Sequence, residues 1–149
     1  MTKLIFAFFL FMGVATAFAQ GKEVSLTPGA PDAVLKGFIR NYSDSKATWR
    51  EVDGDYEATF KLIGMPATAW YDSTGHRKNV VVEIKSEQLP AIAHSYLDRN
   101  YPKAKIMKAQ KWTDDKKVST FQADIKVGTE LKSLMFTSRG DLIKELGKE

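Results

Sequence analysis

The sequence predicts an α+β protein built from two tandem repeats, each a helix followed by a four-stranded antiparallel meander, with the helices packed on one face of the sheet. Three observations carry that expectation. The chain of 149 residues resembles itself at a fixed offset. The hydrophobic period changes from helical to alternating at the same point of each copy. Glycine and aspartate then punctuate the alternating segments at hairpin spacing. An offset of 59 superposes Pro31 on Pro90, Arg40-Asn41-Tyr42 on Arg99-Asn100-Tyr101 and Lys46 on Lys105. After an insertion around Thr113 to Lys117 the offset becomes 65, pairing Tyr56–Leu62 with Phe121–Val127 and Ala69-Trp70-Tyr71 with Leu134-Met135-Phe136. Matches in this order along most of a chain mark duplicated supersecondary units.

Met1 to Ala19 come first and read as a signal peptide. Lys3 precedes an apolar run from Leu4 to Met12, and Ala17-Phe18-Ala19 offers a small-x-small cleavage site before Gln20. The run is too short and poorly flanked for a spanning segment, which needs about 20 apolar residues. The expected organisation is signal peptide 1–19, first repeat 20–85 and second repeat 86–149. The expected location is the periplasm or the exterior, with no membrane anchor after processing.

Each repeat opens with a helix. Thr27 and Ser86 stand at matching positions as hydroxyl N-caps, with Pro28 suited to a first turn. Val34, Phe38 and Tyr42, and in the second copy Ala93, Leu97 and Tyr101, fall at i, i+4 and i+8 on one helical face. Pro102 ends the second helix. Strands follow. Tyr56, Ala58, Phe60 and Leu62 alternate with polar residues, as do Phe121, Ala123, Ile125 and Val127, the pattern of half-buried antiparallel strands. Asp53-Gly54, Gly64, Gly128, Asp72–Gly75 and Thr137–Gly140 supply the turns, and Asn79–Ile84 and Leu142–Leu146 supply the last strands. An apolar helix stripe and an apolar sheet face each need the other for burial.

These residues, a helix ending in Asn-Tyr or Asn-Tyr-Pro, then Asp53-Gly54-Asp55-Tyr56-Glu57-Ala58-Thr59-Phe60, Tyr71-Asp72-Ser73-Thr74-Gly75 and the junction Ile84–Pro90, resemble the PepSY-like family. That family comprises exported bacterial proteins of two tandem repeats, described as β-lactamase-inhibitor-like. The resemblance spans about Thr27 to Leu146 and implies an inhibitor-like fold without a catalytic motif. The second copy departs from the pattern at Lys108, where the first has Trp49, and in its longer hairpin from Trp112 to Lys117.

The chemistry-bearing residues are sparse. With no cysteine, disulfides, Cys-ligated zinc and thiol catalysis are excluded. His76 and His94 lie at non-equivalent positions with no HExxH or nucleophile-elbow spacing and read as surface histidines. Asp53-Gly54-Asp55 lacks the spaced ligands and terminal glutamate of a calcium loop, and Asp114 and Asp115 suit a hydrated turn. The net charge of +4, one unit of it from Lys3, is spread over scattered lysines, so nucleic acid is not an expected partner. No enzyme activity and no cofactor or metal are expected.

Strand alternation points one surface out. If Ala69 and Tyr71 face the helices, Trp70 faces the opposite side of the sheet, with Thr59, Lys61 and Thr68 as neighbours and Met135 repeating its position. These five form the expected partner-binding patch, because tryptophan brings a large area to desolvate. The competing placement has Trp70 packed on Trp49, Trp112 or the other half of the sheet. The function expected is an exported, inhibitor-like, non-enzymatic module that binds a protein or peptide of the envelope on the open sheet face. The alternative is an envelope-stress or carrier protein that binds a small ligand or ion.

Overall fold

The computed structural model describes residues 29–146, so the expected signal peptide and cleavage site, Thr27 and Pro28 lie outside the described residues. Ten elements account for the fold: α1 (Asp32–Asn41), β1 (Thr48–Val52), β2 (Asp55–Leu62), β3 (Met65–Tyr71), β4 (Arg77–Ile84), α2 (Ala91–Asn100), β5 (Lys105–Asp114), β6 (Ser119–Val127), β7 (Glu130–Thr137) and β8 (Leu142–Leu146). The strands form one antiparallel sheet in sequential order from β1 to β8, and β4 pairs with β5 across the midpoint.

Prolines start the helices. Pro31 accepts the N–H groups of Val34 and Leu35, and Pro90 that of His94. Neither helix has a side-chain N-cap. Ser86, expected as the second cap, instead opens a 3₁₀ turn over Ser86–Gln88, where the Gln88 side chain accepts the Lys85 N–H at 2.9 Å. The proline's fixed φ prepares the first helical turn, and its missing N–H costs nothing there. Tyr42 and Tyr101 terminate the two helices, each donating its N–H four residues back.

Both helices cover the same face of the sheet. Val34, Phe38 and Tyr42 pack on Ala58, Phe60, Ala67, Ala69, Tyr71 and Val80. Leu89, Ala93 and Leu97 pack on Ala109, Ala123, Ile125, Leu134 and Phe136. The register links the two sets, since Ala58 pairs with Ala69, Ala69 with Val80, Ile84 with Ala109, Ala109 with Ala123 and Ala123 with Leu134. Alanines alternate on this face with large side chains, of which Tyr71, Ile125, Leu134 and Phe136 are fully buried. The first half is aromatic, with Phe38 within 5.3 Å of Tyr42, Trp49 and Phe60.

Turn glycines set how close the helices come. A Cβ built on Gly75 would lie 2.1 Å from the Ala33 carbonyl oxygen, and one on Gly140 would lie 2.7 Å from the Ala93 nitrogen. Each therefore lets the turn after a third strand press against the helix of its own half.

A β-bulge sits in β5 between Ile106 and Lys108 and places Met107 outside the pairing. It also corrects a sequence equivalence. Trp49 pairs with Ala58 and Ala109 with Ala123, so Ala109, not Lys108, occupies the place of Trp49. The extra residue reverses the facing of Lys108 relative to a simple count.

Candidate functional site

The face away from the helices is uncovered by any described element. Its middle row runs Thr48, Thr59, Thr68, Val81, Trp112, Thr120 and Thr137, each paired with the next strand's residue from β1 to β7. The row beside it runs Arg50, Glu57, Trp70, Asn79 and Asp114. A band of small hydroxyl side chains thus crosses the sheet with Trp112 near its centre, and Trp70 lies in the adjacent row among Arg50, Glu57 and Asp114.

Trp70 and Trp112 stack across β4, with ring centroids 6.1 Å apart and planes 8° from parallel. Offset parallel rings at such spacing are favourable. Val81, on the strand between them, is 5% exposed although it points away from the helical core. The Arg50 guanidinium donates to the Glu57 carboxylate at 2.6 Å, and Glu57 pairs directly with Trp70. Arg50 Nε, Asn79 Oδ1 and Trp112 Nε1 are buried with no hydrogen-bond partner. Unpaired polar atoms of this kind are destabilising and native structures keep few of them.

Thr59, Lys61, Thr68 and Trp70 gather on β2 and β3 of this face. Thr59 pairs with Thr68, and Lys61 with Pro66. Met135 shares the face but not the neighbourhood. It pairs with Gln122, four strands from Trp70, or about 19 Å at the usual strand spacing. Trp70 meets both placements considered for it, pointing outward and packing on Trp112. Trp49 instead packs on the helix side, against Phe38 and Tyr71. The sequence offered Trp112 only as one alternative neighbour of Trp70, and Val81 and Asn79 were not among the candidates. The uninterrupted run Val80-Val81-Val82 was the available signal, because a strand apolar at consecutive positions is covered on both faces.

The aspartates of the turns hold the turns. Asp72 accepts the Thr74 hydroxyl at 2.6 Å and the Thr74 and His76 N–H groups. The Thr74 hydroxyl first, then the His76 N–H, keep its carboxyl below the usual range. Asp114, expected to stay hydrated, accepts the Val118 N–H at 2.8 Å. His76 is exposed 3.6 Å from Asp115, and a His94 ring nitrogen lies 2.9 Å from the Ser86 carbonyl oxygen. Among the described residues no three His, Asp or Glu side chains converge as a metal site, and no helix is long and apolar enough to cross a membrane.

No family model and no curated protein sequence matches the chain. Solved structures do. A DUF2874 family protein of Bacteroides uniformis superposes with a TM-score of 0.73 at 15% identity, over 79% of this chain and 89% of that one. A BLIP-like, or β-lactamase-inhibitor-like, protein of Bacteroides fragilis gives 0.70 at 16% identity, over 80% and 87%. A Bacteroides eggerthii protein provisionally described as periplasmic gives 0.73 at 13% identity, over 79% and 88%. The likeness is one of fold: an eight-stranded antiparallel sheet with two helices, of the β-lactamase-inhibitor-like kind.

Proposed function

We propose that this chain is an exported, non-enzymatic binding module that meets a protein or peptide partner on the open sheet face at the Trp70–Trp112 stack. The observation that supports it most is the stack itself: two parallel indoles 6.1 Å apart on an uncovered face, beside a row of threonines and next to the Arg50–Glu57 ion pair. Large rigid aromatics ringed by small polar groups are what interface hot spots are made of. Thr59, Thr68 and Lys61 border this centre. Met135 marks the matching place in the second half and belongs to the rim.

The reading extends to origin and location. The two halves are tandem copies of one helix-plus-meander unit, of the PepSY-like kind, in which only the first copy carries tryptophan at the outward position of its third strand. The Met1–Ala19 leader directs the chain to the periplasm or the exterior, a placement in keeping with the neighbour from Bacteroides eggerthii. The test is affinity capture from envelope extract with the parent and with Trp70→Ala, followed by calorimetry on the captured partner. Trp70→Ala is expected to weaken binding by about 2 kcal/mol or more. Capture that is undiminished in the variant rules the face out.

A further inference from the structure

The second half of the sheet carries a feature that the tryptophan face does not explain. Lys105 and Lys126 pair directly across β5 and β6, like charge opposite like charge. Such a pair is unfavourable in an isolated sheet. Lys126 also pairs with Leu131, which is 52% exposed, and the bulge beside Lys108 presents Met107, 59% exposed. Met107, Lys108, Leu131 and Leu146 line one open groove of about 440 Å³. The acid in it, Asp124, pairs across the strands with Lys108 but makes its hydrogen bonds to the Ser133 hydroxyl at 2.6 Å and the Gln122 amide at 2.9 Å. Lys105, Lys108 and Lys126 make no ion pair among the described residues. The sequence offset sets Lys46 and Lys61 at the places of Lys105 and Lys126 in the first half, near Ile63, which is 96% exposed.

We propose that Lys105, Lys108 and Lys126, with Met107 and Leu131 between them, form a docking patch for an anionic phospholipid surface. An anionic surface neutralises the repulsion between the paired lysines, and the headgroup boundary takes up the exposed thioether and isobutyl groups. Lysine is depleted from the centres of protein interfaces, whereas its long stem and compact charge suit a lipid boundary. The patch lies on the same open face as the tryptophan stack but toward the other end of β5, so Trp70→Ala and the lysine variants separate the two proposals.

The test is co-sedimentation of the chain from Gln20 onward, which contains every element of the fold, with vesicles of phosphatidylcholine alone or mixed with phosphatidylglycerol. The parent is expected to bind the mixed vesicles, to ignore the neutral ones and to be released by salt. Lys105→Gln with Lys126→Gln is expected to lower binding at least tenfold, at about fivefold per lysine. Removing a like-charge pair leaves the fold intact, and an unchanged or raised melting temperature checks this. Leu131→Ser weakens binding at full charge, and Trp70→Ala leaves it unchanged. Equal binding to both vesicle types, no binding to either, or undiminished binding by the double variant overturns the proposal. An acidic protein partner on the same lysines would show as absence of vesicle binding.

Discussion

Gly75→Ala tests the packing of α1 on the sheet. Two costs act at that position and the structure separates them. Gly75 has φ +82°, where an L-residue pays roughly 1–2 kcal/mol. Its added Cβ would also stand 2.1 Å from the Ala33 carbonyl oxygen and 2.7 Å from the carbonyl carbon, both backbone atoms of α1. Relieving that contact displaces the helix or the turn by about 1 Å, which in a packed core costs about 1–3 kcal/mol. The expected total is about 2–5 kcal/mol. Gly54 provides the control, because its φ is +83° and nothing lies within 4 Å of its added Cβ. Gly54→Ala therefore isolates the backbone cost, about 1–2 kcal/mol. Urea unfolding of both variants at one pH reads the difference, expected at about 1–3 kcal/mol. Equal losses in the two variants would refute the contact between the β3–β4 turn and α1.

Other outcomes follow from single side chains. Phe60→Ala and Ile125→Ala, one in each core cluster, are each expected to cost about 2–5 kcal/mol in chemical denaturation. Tyr71 is fully buried, its hydroxyl has no hydrogen-bond partner, and burial raises its pKa. A raised acid pKa contributes stability that is complete below the unfolded value near 10 and is lost as pH rises above it. Tyr71→Phe should therefore be neutral or stabilising near pH 7 and should reduce the fall in melting temperature above about pH 10. Ile63 holds φ +50° at a hairpin tip, a place that asparagine fills better than a β-branched residue. Ile63→Asn should raise stability by about 0.5–1 kcal/mol in urea unfolding, and a loss of stability would place Ile63 in a contact that the fold needs.

The elements were legible where local chemistry and tertiary burial agree. Alternation in Tyr56–Leu62 and Phe121–Val127 marks strands because one face of each meets a helix, and Val34, Phe38 and Leu97 sit on their helical stripes for the same reason. Capping was legible only in part. A hydroxyl at Ser86 looks like an N-cap, yet Pro90 can start α2 after a 3₁₀ turn, and nothing local excludes either start. The outward facing of Trp70 followed from period two. Its stacking partner did not, because the approach of Trp112 depends on the β4–β5 pairing across a connection that contains α2. The bulge at Met107 breaks the count along β5, so the facing of Lys108 required the register. Met135 was placed on the correct face by its offset, but adjacency across four strands is not a property of sequence spacing.

The claim that a partner meets the open face is tested most directly by site-specific photo-crosslinking in living cells. A photoreactive residue at Thr68, between the tryptophans and the rim, is compared with one at Lys36 on the exposed side of α1. The account predicts one discrete crosslinked protein from Thr68, lost when Trp70→Ala is added, and none from Lys36. Crosslinks from Lys36 alone, or a Thr68 product that survives Trp70→Ala at full yield, would contradict it.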